Sequence, residues 1–525
     1  MKQNFNQSEN YGRIAFRLKE AGEINEAYIF LKKWADYLEK ELQCEKCIAV
    51  YNQILDLIVD KLEEKCEILI KKINLLHYIG EREEELKTID ELYELGLKLN
   101  NIDYQRKAMF ARAEYFEAIA DYDNALKILH NLNKEREETL VLEKIGINYY
   151  NKTEVSQALE IFNRALDSMK DDNYLLKGNI LKDIGLCYWK LGDKEQGLIY
   201  YTKAKKFYEK GEDKIALARL NVNIANVYYY LNNFEQSLTF YKDALNIARK
   251  IGDSHFIAQI LSNVGGVYIQ FGEYEEALRN FQEALEIDRK NLNRKGEAIR
   301  LSNIGHIYGI LGDTDKALEY FNQALKIDES IKNKSGMAIR YGNIATCLFQ
   351  KGEYEESVRY LKNAVEISAE AGLKEYLAYY HNLLGFVFVE MGQLSYGEDE
   401  LSQALAMARA VKNPSYEITA QSNLALLWLK RDDIKKAFQY STWAVEKLLS
   451  IKDIEGDREQ IYYIHYKILN KMNRTGEAYR FLRFAYETII SRAQRINSPE
   501  HQHKFLNLSK NREIIEEWKR IEKQD

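Results

Sequence analysis

One spacing constrains this chain more than anything else in it. From Gly185, steps of 40 residues meet a small side chain seven times: Gly185, Ala225, Gly265, Gly305, Ala345, Gly385 and Ala425. Three positions after each stands a large apolar or aromatic residue: Tyr188, Tyr228, Tyr268, Tyr308, Leu348, Phe388 and Trp428. Nineteen positions after each stands alanine, from Ala204 through Ala324 to Ala444. A constant period of this length means that each unit is one supersecondary element, unable to bury its apolar face until neighbours stack on it.

Each unit reads as two amphipathic helices around a tight turn. The turn carries Gly192-Asp193, Asn232-Asn233, Gly272-Glu273, Gly312-Asp313 and Gly352-Glu353. A left-handed residue closes the first helix, and an acidic or amide side chain suits the start of the second. The small residues belong where two helices approach closely, and the aromatics fill the room they leave. Only two prolines, Pro414 and Pro499, occur in 525 residues, so little interrupts the helices.

The pattern resembles the tetratricopeptide repeat, whose marks are a small eighth residue, an aromatic eleventh, and alanine at the twentieth and twenty-seventh. The common form has 34 residues. The 40-residue step is similar to the long-helix subclass of kinesin light chains, Pins-type adaptors and Rap-type regulators. The resemblance implies an all-α fold: a right-handed α-solenoid of antiparallel helix pairs, the tetratricopeptide superhelix.

Three segments are expected. Residues 1–140 are degenerate helical repeats, about four by spacing, marked by Ala15, Gly22 and Ala27, by Gly80 and Leu86, and by Ala113, Phe116 and Ala125. Residues 141–485 are the array, regular from about 178 to 450. It opens on Gly146, Tyr149, Ala158, Phe162 and Ala165 and fades through Tyr466, Leu469, Ala478, Leu482 and Ala485. Residues 486–525 leave the pattern. Their Pro499, Glu500, Phe505, Leu506, Asn511, Arg512, Glu513, Ile514 and Trp518 look like the segment that ends tetratricopeptide regions of bacterial signalling ATPases and adenylate cyclases. The basic residue expected near Gln502 is absent. Read structurally, Phe505, Leu506, Ile514 and Trp518 form the inner side of a capping helix.

No chemistry is expected. GxxxxGK[ST], HExxH and GxSxG are all missing, so the chain is read as no enzyme. Cys44 and Cys47 have metal-like spacing, but with Cys66 they make three ligands where zinc wants four, so no metal and no cofactor are expected. Five scattered cysteines suit reduced thiols. With 75 basic and 81 acidic residues, the net charge of −6 offers nucleic acid no basic field. No apolar run is long enough for a membrane span, and the N-terminal stretch has no signal-peptide core, so the expected location is cytoplasmic.

Function then rests on surface. Two residues before the small position stands asparagine in five units: Asn223, Asn263, Asn303, Asn343 and Asn423. Asp183 and Leu383 hold the place in two others. Asparagine is a poor helix former, so its recurrence needs a reason. An amide can meet both groups of a peptide backbone, or it can bond between adjacent helices. The resemblance implies the first, because first helices line the inside of such superhelices and asparagine ladders there hold extended peptides. By helical phase Tyr229, His306, Phe349, Tyr379 and Phe386 join the inner face. Arg219, Arg300 and Arg340 could add one acidic contact, but each is read first as solvated or as an ion pair within its repeat. The expected partner is a protein or peptide segment, extended or helical and neutral to apolar, bound by a scaffold or adaptor. The alternative is a regulatory arm acting in trans on a signalling ATPase, cyclase or kinase.

Overall fold

The computed structural model describes residues 2–41, 43–135, 139–169, 173–451 and 458–522. A few positions in each expected segment, among them 136–138 and 523–525, lie outside the described residues. Among the described residues there are 27 helices and no strand. The chain is an all-α solenoid, divided into two compact units at Leu220/Asn221.

In the first unit, helices Lys2–Glu20 and Ile24–Lys40 form one pair, as do Leu62–Ile79 with Arg82–Lys98 and Ile102–Ala118 with Tyr122–Glu135. Helix Cys44–Leu57 lies between the first two pairs and packs against both Ile24–Lys40 and Leu62–Ile79. Among the described residues seven helices thus begin and end before residue 140, an odd number that does not divide into regular pairs. Cys44, Cys47 and Cys66 are buried free thiols, and the Cys47 thiol donates to the Ala35 carbonyl at 3.5 Å.

In the second unit, pairs follow one another from Ser254–Phe271 with Tyr274–Lys290 to Arg458–Lys471 with Thr475–Gln494. Short helices Pro499–Leu506 and Ser509–Glu522 complete it. Helix Thr475–Gln494 runs past the expected tail boundary at 486, because Ile489 and Ala493 continue its buried stripe.

The turn chemistry explains the period. Gly272 and Gly312 have φ of 76°, and Asn232 and Asp432 take the same left-handed region at 58° and 64°. The next residue starts the second helix. Asp193, Asn233, Asp313 and Asp433 each accept a backbone N–H three residues on, whereas Glu273 and Glu353 do not. The extra methylene carries a glutamate carboxylate past the cap position, so acidity alone does not make a cap.

Packing explains the small residues. A Cβ on Gly265 would stand 2.7 Å from the Phe281 ring, and one on Gly305 2.9 Å from Phe321. Each ring comes from the second helix of the same pair and fills the gap that glycine leaves. Ala204, Ala244, Ala284, Ala324, Ala364 and Ala444 are all 0% exposed, so none has room to grow.

Candidate functional site

The ladder asparagines lie on first helices, half-buried, one per pair. Asn303 Nδ2 donates to Ser262 Oγ at 3.1 Å, and Asn343 Nδ2 to Ser302 Oγ at 3.3 Å. Asn423 Nδ2 donates to Asn382 Oδ1 at 3.0 Å. Each bond ties a first helix to the one before it. An amide has a second N–H and a carbonyl oxygen besides, so this tie leaves polar capacity for a ligand.

A cavity of about 470 Å³ opens on this face. Asn263, Asn303, His306 and Tyr229 line it, together with Asn226, Tyr230, Tyr241, Ser262, Gly266, Ile269 and Phe281. Four of the ten expected site residues thus come together. Its walls are held in place: Gln270 Nε2 donates to Tyr229 Oη at 2.9 Å, the Tyr241 hydroxyl donates to Asn226 Oδ1, and Phe234 packs edge-on against Tyr229. Gly266 forms open floor, since a Cβ there would meet nothing within 4 Å. His306 presents an accessible ring, yet the helices massed around it press its imidazole pKa below the ordinary value. The cavity can therefore offer a neutral imidazole, amides and tyrosine rings to an uncharged chain.

The other expected residues lie elsewhere on the first helices and do not line this cavity. Asn223 is half-buried one turn before Asn226. Asn343 and Asn423 make the inter-helix bonds already described. Tyr379 packs edge-on against Tyr380 and tilts toward Tyr416, with centroids 5.9 Å apart in the latter case. Phe349 and Phe386 touch, 5.2 Å between centroids, and both carry the ammonium of Lys510.

That last contact belongs to the tail, which does more than cover the end of the stack. Trp518 stacks on Tyr479 and Tyr486 of helix Thr475–Gln494, each 5.0 Å away. Phe505 and Ile514 are buried in the core, and Leu506 packs against it. From there the chain turns back to pairs far earlier in sequence. Lys504 Nζ donates to Asp313 Oδ2 at 3.0 Å across 191 positions, and His501 meets the Tyr308 ring edge-on. Gly272 and Gly312 are needed here twice over. Besides their left-handed backbone, a Cβ on either would strike Arg495 or Lys504.

Sequence reading missed Asn226, Tyr241, Ile269 and Phe281. It also missed a buried polar clamp. Arg300 Nε lies 3.2 Å from Asp288 Oδ2, and its Nη1 donates to Ser262 Oγ at 3.0 Å. Asn293 Nδ2 donates to Asp288 Oδ1 at 2.7 Å while its Oδ1 caps the helix at Gly296. Forty residues on, Asp328, Asn333, Gly336, Arg340 and Ser302 repeat the arrangement. The signal was present as Asp-x4-Asn-x2-Gly-x3-Arg in two successive units.

Models of the tetratricopeptide repeat match residues 176–250, 214–290, 256–330 and 339–370. Residues 176–330 and 339–370 carry tetratricopeptide repeats. Among solved tetratricopeptide structures, a signal transduction ATPase with numerous domains and a tetratricopeptide repeat sensor, from Pyrococcus horikoshii, is 20% identical. That match covers 68% of this chain and 55% of that one, at a TM-score of 0.50, and shows a shared fold. The apo form of RapI is 22% identical over 52% of this chain and all of its own, at 0.44. Aspartyl phosphate phosphatase F from Bacillus subtilis is 14% identical over 69% of this chain and 94% of its own, at 0.45. No curated protein is similar enough in sequence to match. Among the described residues no cluster of three His, Cys, Asp or Glu side chains is placed to hold a metal, and no helix is long and apolar enough to cross a membrane.

Proposed function

We propose that this tetratricopeptide protein is an interaction scaffold that holds a segment of a partner protein on the inner face of its first helices, with the cavity around Asn263, Asn303, His306 and Tyr229 as the principal contact. Tetratricopeptide proteins generally mediate protein–protein interaction, and the coarse role follows from the repeats. The finer reading rests on one observation: the cavity floor is open at Gly266 while amides and tyrosines stand around it. Small residues admit a main chain, amides meet its N–H and C=O groups, and aromatic walls take its side chains. An extended or helical segment, uncharged where it crosses the cavity, suits these walls.

Gly266→Trp tests this by filling the cavity, at a position where a Cβ meets nothing within 4 Å. Randomised peptides would be selected on the purified full chain and on this variant, with helicity checked by circular dichroism. Peptides retained by the parent chain and lost by Gly266→Trp support the cavity as the site. Peptides retained equally by both would sink it.

A further inference from the structure

The second stretch of inner face, on helices Lys334–Lys351 and Lys374–Glu390, is not bare. Phe349 and Phe386 lie at inward positions of adjacent first helices, their rings 5.2 Å apart and inclined at 58°. Lys510 Nζ stands 4.5 Å from the Phe386 centroid and 5.3 Å from that of Phe349. Tyr354 also packs on Phe349, 5.3 Å between centroids, which helps to hold the ring in place. Two inclined rings sharing one ammonium make a cation-binding cleft, because the negative faces of both quadrupoles meet at the charge.

Lys510 reaches this cleft from a helix secured by other residues. Asn511 Nδ2 donates to the Phe505 carbonyl at 2.9 Å, Ile514 is 0% exposed, and Trp518 is clasped between Tyr479 and Tyr486. The lysine itself is half-exposed. Its flexible four-carbon side chain can swing into water while the tail stays folded. The rings that it leaves then offer one cation site on the same face as the cavity.

We infer that Phe349 and Phe386 form a subsite for one cationic side chain, lysine or arginine, of the bound partner segment, and that Lys510 fills it in the free chain. This rests on the reading that the inner face binds a segment, and it specifies one charged residue in an otherwise uncharged ligand. A partner presenting that residue displaces Lys510, which exchanges one cation–π contact for another. A partner without it leaves Lys510 in place.

The test selects randomised peptides on the full chain and on its Lys510→Ala, Lys510→Arg and Lys510→Ala/Phe386→Leu variants. Lys510→Ala should raise the frequency of peptides carrying lysine or arginine at one fixed position by about tenfold over the parent chain. Lys510→Arg should select as the parent does, and adding Phe386→Leu should abolish the gain. Equal basic content from the parent and Lys510→Ala chains would overturn the inference, and so would a gain that survives Phe386→Leu. Peptides that respond to Gly266→Trp but show no basic enrichment overturn the subsite and leave the cavity reading standing. Basic enrichment among peptides indifferent to Gly266→Trp does the reverse.

Discussion

Arg340 Nε lies 3.2 Å from Asp328 Oδ2 where neither side chain is open to water, and the same guanidinium donates to Ser302 Oγ at 2.9 Å. The pair joins a second helix to the first helix that follows, and through Ser302 to the first helix before. Gly336 makes it possible, since a Cβ there would collide with the Asp328 carboxylate. Two consecutive junctions thus carry a buried ion pair beside their apolar contacts.

Removing one partner strands the other. Arg340→Met should cost about 3–5 kcal/mol, because Asp328 would keep its burial and lose its counter-charge. Arg340→Met/Asp328→Asn should recover much of that loss. Urea midpoints followed by circular dichroism check it, and equal midpoints for the single and double variants would contradict the clamp.

Neighbouring glycines should respond with opposite sign. Gly265→Ala drives a methyl into the Phe281 ring and should destabilise by about 1–3 kcal/mol. Gly266→Ala meets open space in mid-helix and should stabilise by about 1 kcal/mol. Thermal melts of the two single variants decide this, and a shift in the same direction for both would mean the helix faces are misassigned.

Trp518 ties the tail to helix Thr475–Gln494. Trp518→Ala should cost about 3–5 kcal/mol locally, and removal of residues 498–525 should lower solubility by exposing Tyr479 and Tyr486. A truncated chain that melts and stays in solution like the full one would show that the tail does not support the stack.

Acid should weaken the second unit through His465. Burial, with Arg474 adding to it, presses this imidazole down to about 4, and its Nδ1 lies 2.8 Å from Ser441 Oγ. The folded state keeps it neutral, whereas the unfolded chain takes up a proton near pH 6.5. Its stabilising contribution is complete above that pH and is lost as pH falls from about 6.5 to 4, by roughly 3 kcal/mol. His465→Asn should flatten that part of the melting-temperature profile. Parallel profiles for the two proteins between pH 7 and 4.5 would contradict the assignment.

The first-helix positions were legible because their rule is local. Helical phase from the small residue is enough to place Asn263, Asn303, His306, Phe349 and Phe386 on first helices. Phase does not say which inward residues share a cavity. Asn226 escaped notice because it follows the ladder position by one turn in a single unit, with Gly266 and His306 at the equivalent places. Tyr241 and Phe281 escaped because they enter from second helices.

The sequence by itself determined what repeats every 40 residues: two helices per unit, a left-handed turn, a glycine beneath a ring, an alanine with no room to grow. Each is settled within one unit and its neighbour, so it leaves a periodic trace. Only the tertiary structure decided what Lys504 and Lys510 touch. Their partners Asp313, Phe349 and Phe386 lie up to 191 positions earlier and are brought within reach by the small rotation added at every repeat. No window of sequence contains that accumulated rotation, so the stretch of inner face that stays open and the stretch that receives the tail are fixed by the folded stack.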